Sequence, residues 1–267
     1  MKHSISTIAA AALLAAGGLV VAADPAHAEI ICGRYDSRVV GKYVVQNNRW
    51  SDVHPISQCI NTIKTTDGAG FTITKQDASA PTNGPPLSYP SVFIGCHYGN
   101  CSPGTNLPIQ VKSIGRAQSG INYKYVGNAI FDASYDIWLD PQPKKTGVNQ
   151  MEIMIWLNKQ GSIQPIGTPV GNISVDGKNW QVWSGSNGQN DVISYVATPS
   201  MPNYLFSVLG FLNDVRKRGK ITDDFYLTSI QAGFEPWQGG VGLAVASFAA
   251  NVTARGGTGS KRPVTER

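Results

Sequence analysis

"GVNQMEIMIWLN", residues 147–158, sets an acid inside a run of methionine, isoleucine, tryptophan and leucine. In an extended chain, successive side chains point to opposite faces. Met151, Ile153, Ile155 and Leu157 then form one unbroken apolar face suited to a core. Glu152, Met154 and Trp156 share the other face. An ionised carboxylate is costly to strip of water unless it is paired, hydrogen-bonded or neutralised. Glu152 is therefore expected to point away from the main core, onto a surface that also carries a thioether and an indole. Such a surface suits a cleft for an uncharged, partly apolar ligand.

Outward from this stretch the β pattern recurs. KYVVQ, GFTITK, SVFIG, IQVKSI, AIFDASYDIWL, NWQVWSG, DVISYVA, DFYLTSIQAGFE and GLAVASFAA are further short runs of strand character. Turn signals such as TDGAG, TNGPP, SPGTN and SVDGKN separate them. Many short strands at this spacing predict an all-β sandwich or barrel. One segment differs. SMPNYLFSVLGFLNDVRKRGK, residues 200–220, spaces Leu205, Val208, Leu209, Leu212 and Val215 as a helix does. Ser200 and Pro202 serve as start signals, Arg216 to Arg218 suit the helix C-terminus, and Gly219 suits its cap. A single helix packed on an all-β domain is expected.

Glutamate is scarce. The chain has Glu29, Glu152, Glu235 and Glu266, and only Glu152 and Glu235 lie within the folded body. Glu235 ends an apolar run, between Phe234 and Trp237. Two carboxylates flanking a cleft are the machinery of glycoside hydrolysis: one protonates the leaving oxygen, the other attacks the anomeric carbon or activates water. The bland alternative is two unrelated buried hydrogen bonds. Asp136, in SYDIWLDP, is a candidate third acid, because its strand directly precedes that of Glu152. By parity Ser134, Asp136 and Trp138 share a face. A surface acid near a loop is the rival reading of Asp136.

The chain ends and the cysteines bound the setting. Ile8 to Ala23 is apolar, and Ala26-His27-Ala28 has the small-x-small pattern of a signal-peptidase site. That run is too short to span a bilayer comfortably, so residues 1–28 are expected to be a cleaved secretory leader rather than a membrane anchor. Residues 29–252 are expected to form one folded domain, and residues 253–267 a basic, polar, disordered tail. The formal net charge is +5, and the last seventeen residues carry four of the basic groups and one acid. The body shows no basic stripe, so no nucleic-acid partner is expected. Cys32, Cys59, Cys96 and Cys101 are an even set in a secreted chain and predict two disulfides. Three pairings are possible; Cys96 and Cys101 could close one tight loop, leaving Cys32 for Cys59. A zinc site is disfavoured: no C-x-x-C or H-x-x-x-H spacing occurs, and only His54 and His97 follow the leader. No metal and no cofactor are expected. Nor is there a G-x-S-x-G elbow, an H-E-x-x-H helix, a P-loop or a G-x-G-x-x-G turn.

Seven blocks, in one consistent order, carry a family resemblance: YVVQNNRW, SYPSVFIGCHYGNCSPGT, ASYDIWLDP, GVNQMEIMIWLN, IQPIGTPVG, WQVWSGSNGQNDVISYVA and YLTSIQAGFEPWQGGVGLAV. From Cys32 to Val252 the chain resembles glycoside hydrolase family 12, the secreted bacterial endo-β-1,4-glucanases. The resemblance implies a β-jelly roll of two curved antiparallel sheets, one lining a long open cleft, and retaining hydrolysis of β-1,4-glucan. It implies that Glu152 is the nucleophile, Glu235 the general acid/base and Asp136 the aspartate beside the nucleophile. Asn48 and Trp50 match the N-x-W block whose indole stacks on a glucose ring. Trp138, Met154, Trp156 and Trp237 are read as further substrate-binding neighbours. The resemblance supports pairing Cys32 with Cys59 and Cys96 with Cys101. The expected partner is a β-glucan polysaccharide, met outside the cell by a monomer without membrane attachment. A xyloglucanase or xylanase on the same fold is the enzymatic rival. A non-catalytic carbohydrate-binding jelly roll is the other, though it has no need for both glutamates.

Overall fold

The run that holds Glu152 is an interior strand of the larger of two stacked sheets. The structure, a computed structural model, describes residues 28–51 and 57–256. Residues 1–27 of the expected leader, His54 and most of the expected tail lie outside the described residues.

The N-terminal half supplies β1 (Ile30–Ile31), β2 (Ser37–Val40), β3 (Tyr43–Gln46), β4 (Gln58–Lys64), β5 (Ala69–Gln76), β6 (Ser91–His97), β7 (Asn100–Cys101), β8 (Ile109–Gln110) and β9 (Ile114–Lys124). Next come β10 (Ile130–Asp140), β11 (Met151–Gln160), β12 (Thr168–Val175), β13 (Lys178–Ser186), β14 (Asp191–Ala197) and β15 (Asn203–Ser207). Helix α1 (Val208–Lys217), β16 (Tyr226–Gln238) and β17 (Ala244–Ala254) complete the fold. The smaller sheet has the order β1-β4-β5-β17-β9-β15. The larger runs β12-β13-β14-β11-β10-β16-β6-β3-β2, with β7 on β6 and β8 on β16. The whole is the expected β-jelly-roll sandwich with one amendment to its antiparallel sheets: β11 and β14 run parallel, with Glu152 level with Val192. The chain reaches β14 through the outer pair β12–β13, and so meets β11 running the same way.

Alternation decides what the sheets bury. Phe131, Tyr135 and Ile137 of β10, Met151, Ile153 and Ile155 of β11, and Ile230 and Phe234 of β16 all enter one core with Phe71, Ile121 and Phe248 of the smaller sheet. Rings close the gap between the layers: Phe71 meets Phe234 edge-on at 6.3 Å, and Tyr135 lies 6.1 Å from Phe248. Each such side chain, fully buried, contributes about 1.5–3 kcal/mol. With one face of β10, β11 and β16 spent on this core, every second residue of those strands is forced onto the opposite face.

The helix expected from Ser200 begins only at Val208. Asn203–Ser207 instead pairs with β9, burying Tyr204 and Phe206 and leaving Leu205 76% exposed. The period-2 pattern of Tyr204 and Phe206 outweighs the helical spacing that included Leu205. Phe211 of α1 then packs on Trp180, Tyr195 and Phe206 at ring distances of 5.3, 4.9 and 5.5 Å. Gly219, at φ +74°, takes the left-handed position after the helix, and its N–H returns to the Arg216 carbonyl.

Cys32 is joined to Cys59, and Cys96 to Cys101. Strand β17 runs to Ala254, two residues past the expected end of the folded domain, and the Arg255 N–H donates to the Ser113 carbonyl. Among the described residues no helix is long and apolar enough to cross a membrane.

Candidate active site

Strand β10 is the spine of the candidate site. Its residues 132, 134, 136 and 138 face away from the core. Across β10, Trp138 is level with Glu152 on β11 and with Ser229 on β16. Asp136 is level with Met154 and Gln231, and Ser134 with Trp156 and Gly233. Asp132 is level with Glu235. The two glutamates thus rise from the strands either side of β10, and Asp136 lies diagonal to Glu152. The β10–β11 register slips between Ala133 and Ser134. There the Ser134 carbonyl accepts bonds from two tyrosine hydroxyls, Tyr123 at 2.8 Å and Tyr89 at 3.2 Å. Bulges of this kind re-aim side chains beside active sites.

The electrostatics separate the carboxyls. Burial pushes Glu152 up to about 7, against a bond that favours its ionised form: Asn190 Nδ2 donates to Oε2 at 3.1 Å. Asn187 orients that amide by donating to Asn190 Oδ1 at 2.8 Å. Burial raises Glu235 well above the usual carboxyl range, and the negative charge and hydrogen bond of Asp132, then the charge of Glu152, raise it further. Asp136 is also raised well up, first by burial and then by the charges of Glu152 and Glu235, while the Tyr89 and Ser134 hydroxyls pull it down. A fixed donor favours the charge on Glu152, whereas neighbouring negative charge favours the proton on Glu235. Neighbouring carboxyls whose surroundings push their pKa values apart can divide the roles of base or nucleophile and acid.

The expected ring contacts fall into two groups. Met154, Trp156 and Trp237 are 5%, 2% and 4% exposed and pack with Leu87, Ile163, Val192 and Val196 in a second apolar cluster. They form the floor on the open side of the larger sheet and present little free surface. Trp50, 40% exposed, has a face to offer. Its carbonyl is pinned by Arg34 Nη2 at 3.1 Å, and the carbonyl of Asn48 accepts the Tyr89 N–H at 2.9 Å. Trp138 is partly buried against His97, with ring centroids 5.6 Å apart.

Four residues of the site escaped the sequence reading. Asn190 sits in a glycine- and asparagine-rich turn with nothing to mark it. Asp132 shares strand parity with Asp136, a signal that was present. His97 and the exposed Tyr98 occupy the turn that the Cys96–Cys101 disulfide closes. Burial lowers His97 to about 4, so its ring is neutral. Burial and then the Glu152 charge raise the Tyr98 phenol, which links this turn to the nucleophile candidate. Buried polar atoms without a partner gather on this same face: His97 Nδ1, Trp138 Nε1, Trp156 Nε1 and Ser194 Oγ. Unsatisfied hydrogen-bonding capacity concentrated on one face marks a place where polar ligand groups can be received. Among the described residues no cluster of three or more His, Cys, Asp or Glu side chains could hold a metal ion.

Known proteins place this arrangement. The sequence model of Glycosyl hydrolase family 12 matches residues 41–253. A probable cellulase, Cel12b, of Mycobacterium tuberculosis is 55% identical over 149 residues, covering 56% of this chain and 99% of that protein. A probable xyloglucan-specific endo-beta-1,4-glucanase A of Aspergillus clavatus is 28% identical over 244 residues, covering 88% of this chain and 95% of that one. The solved native structure of the endo-1,4-beta-glucanase CelB2, a cellulase, superposes with a TM-score of 0.79 at 53% identity, covering 84% of this chain and 99% of that one.

Proposed function

The chain belongs to glycosyl hydrolase family 12, and on that premise we propose how it works as an endo-1,4-β-glucanase. Glu152, as the carboxylate, attacks the anomeric carbon of an internal β-1,4-linked glucosyl unit. Glu235 gives its proton to the departing glycosidic oxygen, so the C–O bond breaks without releasing a bare alkoxide. The covalent glycosyl-enzyme is then opened by water, whose proton returns to Glu235. Two displacements retain the β configuration. Asp136, whose ionisation is disfavoured by burial and by the charge of Glu152, tunes the nucleophile. Trp50 and Trp138 offer apolar faces to sugar rings, over the floor built by Met154, Trp156 and Trp237.

The observation that carries this reading is the opposed environment of the two glutamates. Glu152 receives a fixed donor from Asn190 that favours its charge; Glu235 is surrounded by negative charge that favours its proton. A cellulose-type glucan is the preferred substrate class, supported by the identity to the cellulases. Xyloglucan is the second reading, supported by the lower-identity relative from Aspergillus clavatus. Two disulfides support action outside the cell, consistent with a cleaved leader over residues 1–28.

Separate variants test the roles. Glu152→Ala should abolish hydrolysis of every substrate. Glu235→Ala should cripple cleavage of soluble glucan yet still form the glycosyl-enzyme from an aryl cellobioside with a good leaving group, which needs little protonation. Azide should then accelerate turnover of Glu235→Ala and yield the β-azide, because a small anion needs no general base. Azide acceleration of Glu152→Ala with a β-azide product, and none of Glu235→Ala, would reverse the two assignments.

A further inference from the structure

We propose that Asn187 is a positioning residue that locks the Asn190 amide with its NH2 group toward Glu152. The catalytic consequence rests on reading Glu152 as the nucleophile. Asn187 lies exposed in the turn between β13 and β14, while Asn190, three residues on, is buried against the carboxylate.

The orientation follows from what each atom can do. A backbone N–H and a side-chain NH2 only donate, and an amide oxygen only accepts. The N–H groups of Gln189 and Asn190 both point at one atom of the Asn187 amide, at 2.9 and 3.0 Å, so that atom is Oδ1. The Asn187 NH2 is thereby turned to Asn190, at 2.8 Å, and the atom it meets must be Oδ1. That leaves the Asn190 NH2 facing Glu152 Oε2, at 3.1 Å. The backbone that starts this relay is itself held. Ser186 Oγ donates to the Asn190 carbonyl at 2.8 Å and accepts the Gly188 N–H at 3.1 Å. Gly188, at φ +88°, takes a left-handed conformation that disfavours side chains. The Asp191 N–H donates to the Gln150 carbonyl at 3.0 Å, tying the turn to the residue before β11.

Without Asn187, the Asn190 amide can turn over. Its Oδ1 would then face Glu152 and accept a bond from the protonated carboxyl, which favours the form that cannot attack. The titratable groups around Glu152 do not favour its charge. Asp136 on β10, Glu235 on β16 and the Tyr98 phenol in the turn after β6 interact with it only by repulsion. His97, in that same turn, is neutral. On β14 the residue level with Glu152 is apolar Val192, and the Asp191 carboxylate is spent on Lys220 Nζ at 3.1 Å. The choice between the two amide orientations is therefore made at Asn187.

Carboxyl carbon NMR on the full chain, labelled at glutamate, reads the Glu152 midpoint without substrate. Asn187→Asp keeps the oxygen that the two backbone N–H groups need and replaces the donor by a second oxygen. Asn190 should then turn its NH2 to residue 187 and its Oδ1 to Glu152. The midpoint should rise by about one unit or more, a tenfold gain in proton affinity, and the acidic limb of kcat/KM should move to higher pH with it. The added charge also pushes the midpoint up, so the same change is made in an Asn190→Ala protein, where no amide is left to turn. There the rise should be much smaller. Asn187→Ala, which adds no charge, should raise the midpoint in the native background and leave it in place in the Asn190→Ala one. A midpoint unchanged by Asn187→Asp in the folded protein, or a rise of equal size in both backgrounds, would overturn the proposal. Because no substrate is present, failure here is distinct from failure of the nucleophile assignment, which Glu152→Ala tests.

Discussion

At the scale of single residues, Glu152 is set by one amide. The Asn190 bond is charge-assisted and buried, and such bonds are worth about 1.5–3 kcal/mol. Its effect is to lower the Glu152 pKa against the upward push of burial. Asn190→Ala should therefore raise that pKa and move the acidic limb of kcat/KM to higher pH by about one unit. Activity at pH 6 should fall more than activity at pH 8. An acidic limb that stayed in place would show that the bond does not govern the nucleophile. Asn190 had no voice in the sequence, because its role comes from a turn that tertiary structure folds over β11. Asp132 was legible in principle: it lies four residues before Asp136, an even spacing on one strand, and so shares its face. Glu152 and Glu235 stood out because glutamate is otherwise nearly absent from the body and both lie in apolar runs.

At the scale of elements, the strands with clean alternation were legible. Asp191–Ala197 matches its expected bounds, and β10 and β11 have the predicted faces. Strands poor in apolar residues were not. QCINTIK, IGRAQSGINYK and TPVGNISV became β4, β9 and β12, although little in them signals a strand. IQVKSI, expected as one strand, is split by a 3-10 turn at Val111–Ser113. In β9 and β12 glycines and polar residues dilute the pattern; pairing with neighbours supplies what local preference lacks. The late start of α1 has the same origin, since β9 offers Tyr204 and Phe206 an edge to pair with and a core to enter. The disulfides act at this scale too. The Cys32–Cys59 loop, with a separation of 27, constrains the unfolded chain more than the Cys96–Cys101 loop, with a separation of 5. Chain-entropy estimates give about 3.5 and about 2 kcal/mol respectively. The short loop instead holds the turn carrying His97 and Tyr98 next to Trp138.

At the scale of the whole molecule, the site costs stability. Asp132, Asp136, Glu152 and Glu235 all have folded pKa values raised above the ordinary carboxyl range. Between about pH 4 and pH 8 the unfolded chain has released these protons and the folded one still holds some of them. The unfolded state therefore binds fewer protons, and stability falls as pH rises through this window. For Glu152 alone, a rise from 4.5 to about 7 amounts to about 3 kcal/mol. Melting temperature should be higher at pH 5 than at pH 8, and Glu235→Gln should flatten that slope and stabilise the protein at pH 8. A melting temperature that rose from pH 5 to pH 8 would show that the four acids are not buried as a group. The central claim is that Glu152 attacks while Glu235 delivers the proton, and the stereochemistry of the first product tests it most directly. Proton NMR during the first minutes of glucan hydrolysis should show the new reducing end as the β-anomer, with the α-anomer growing only as mutarotation proceeds. An α-anomer appearing first would mean a single inverting displacement, and would contradict the roles given to both glutamates.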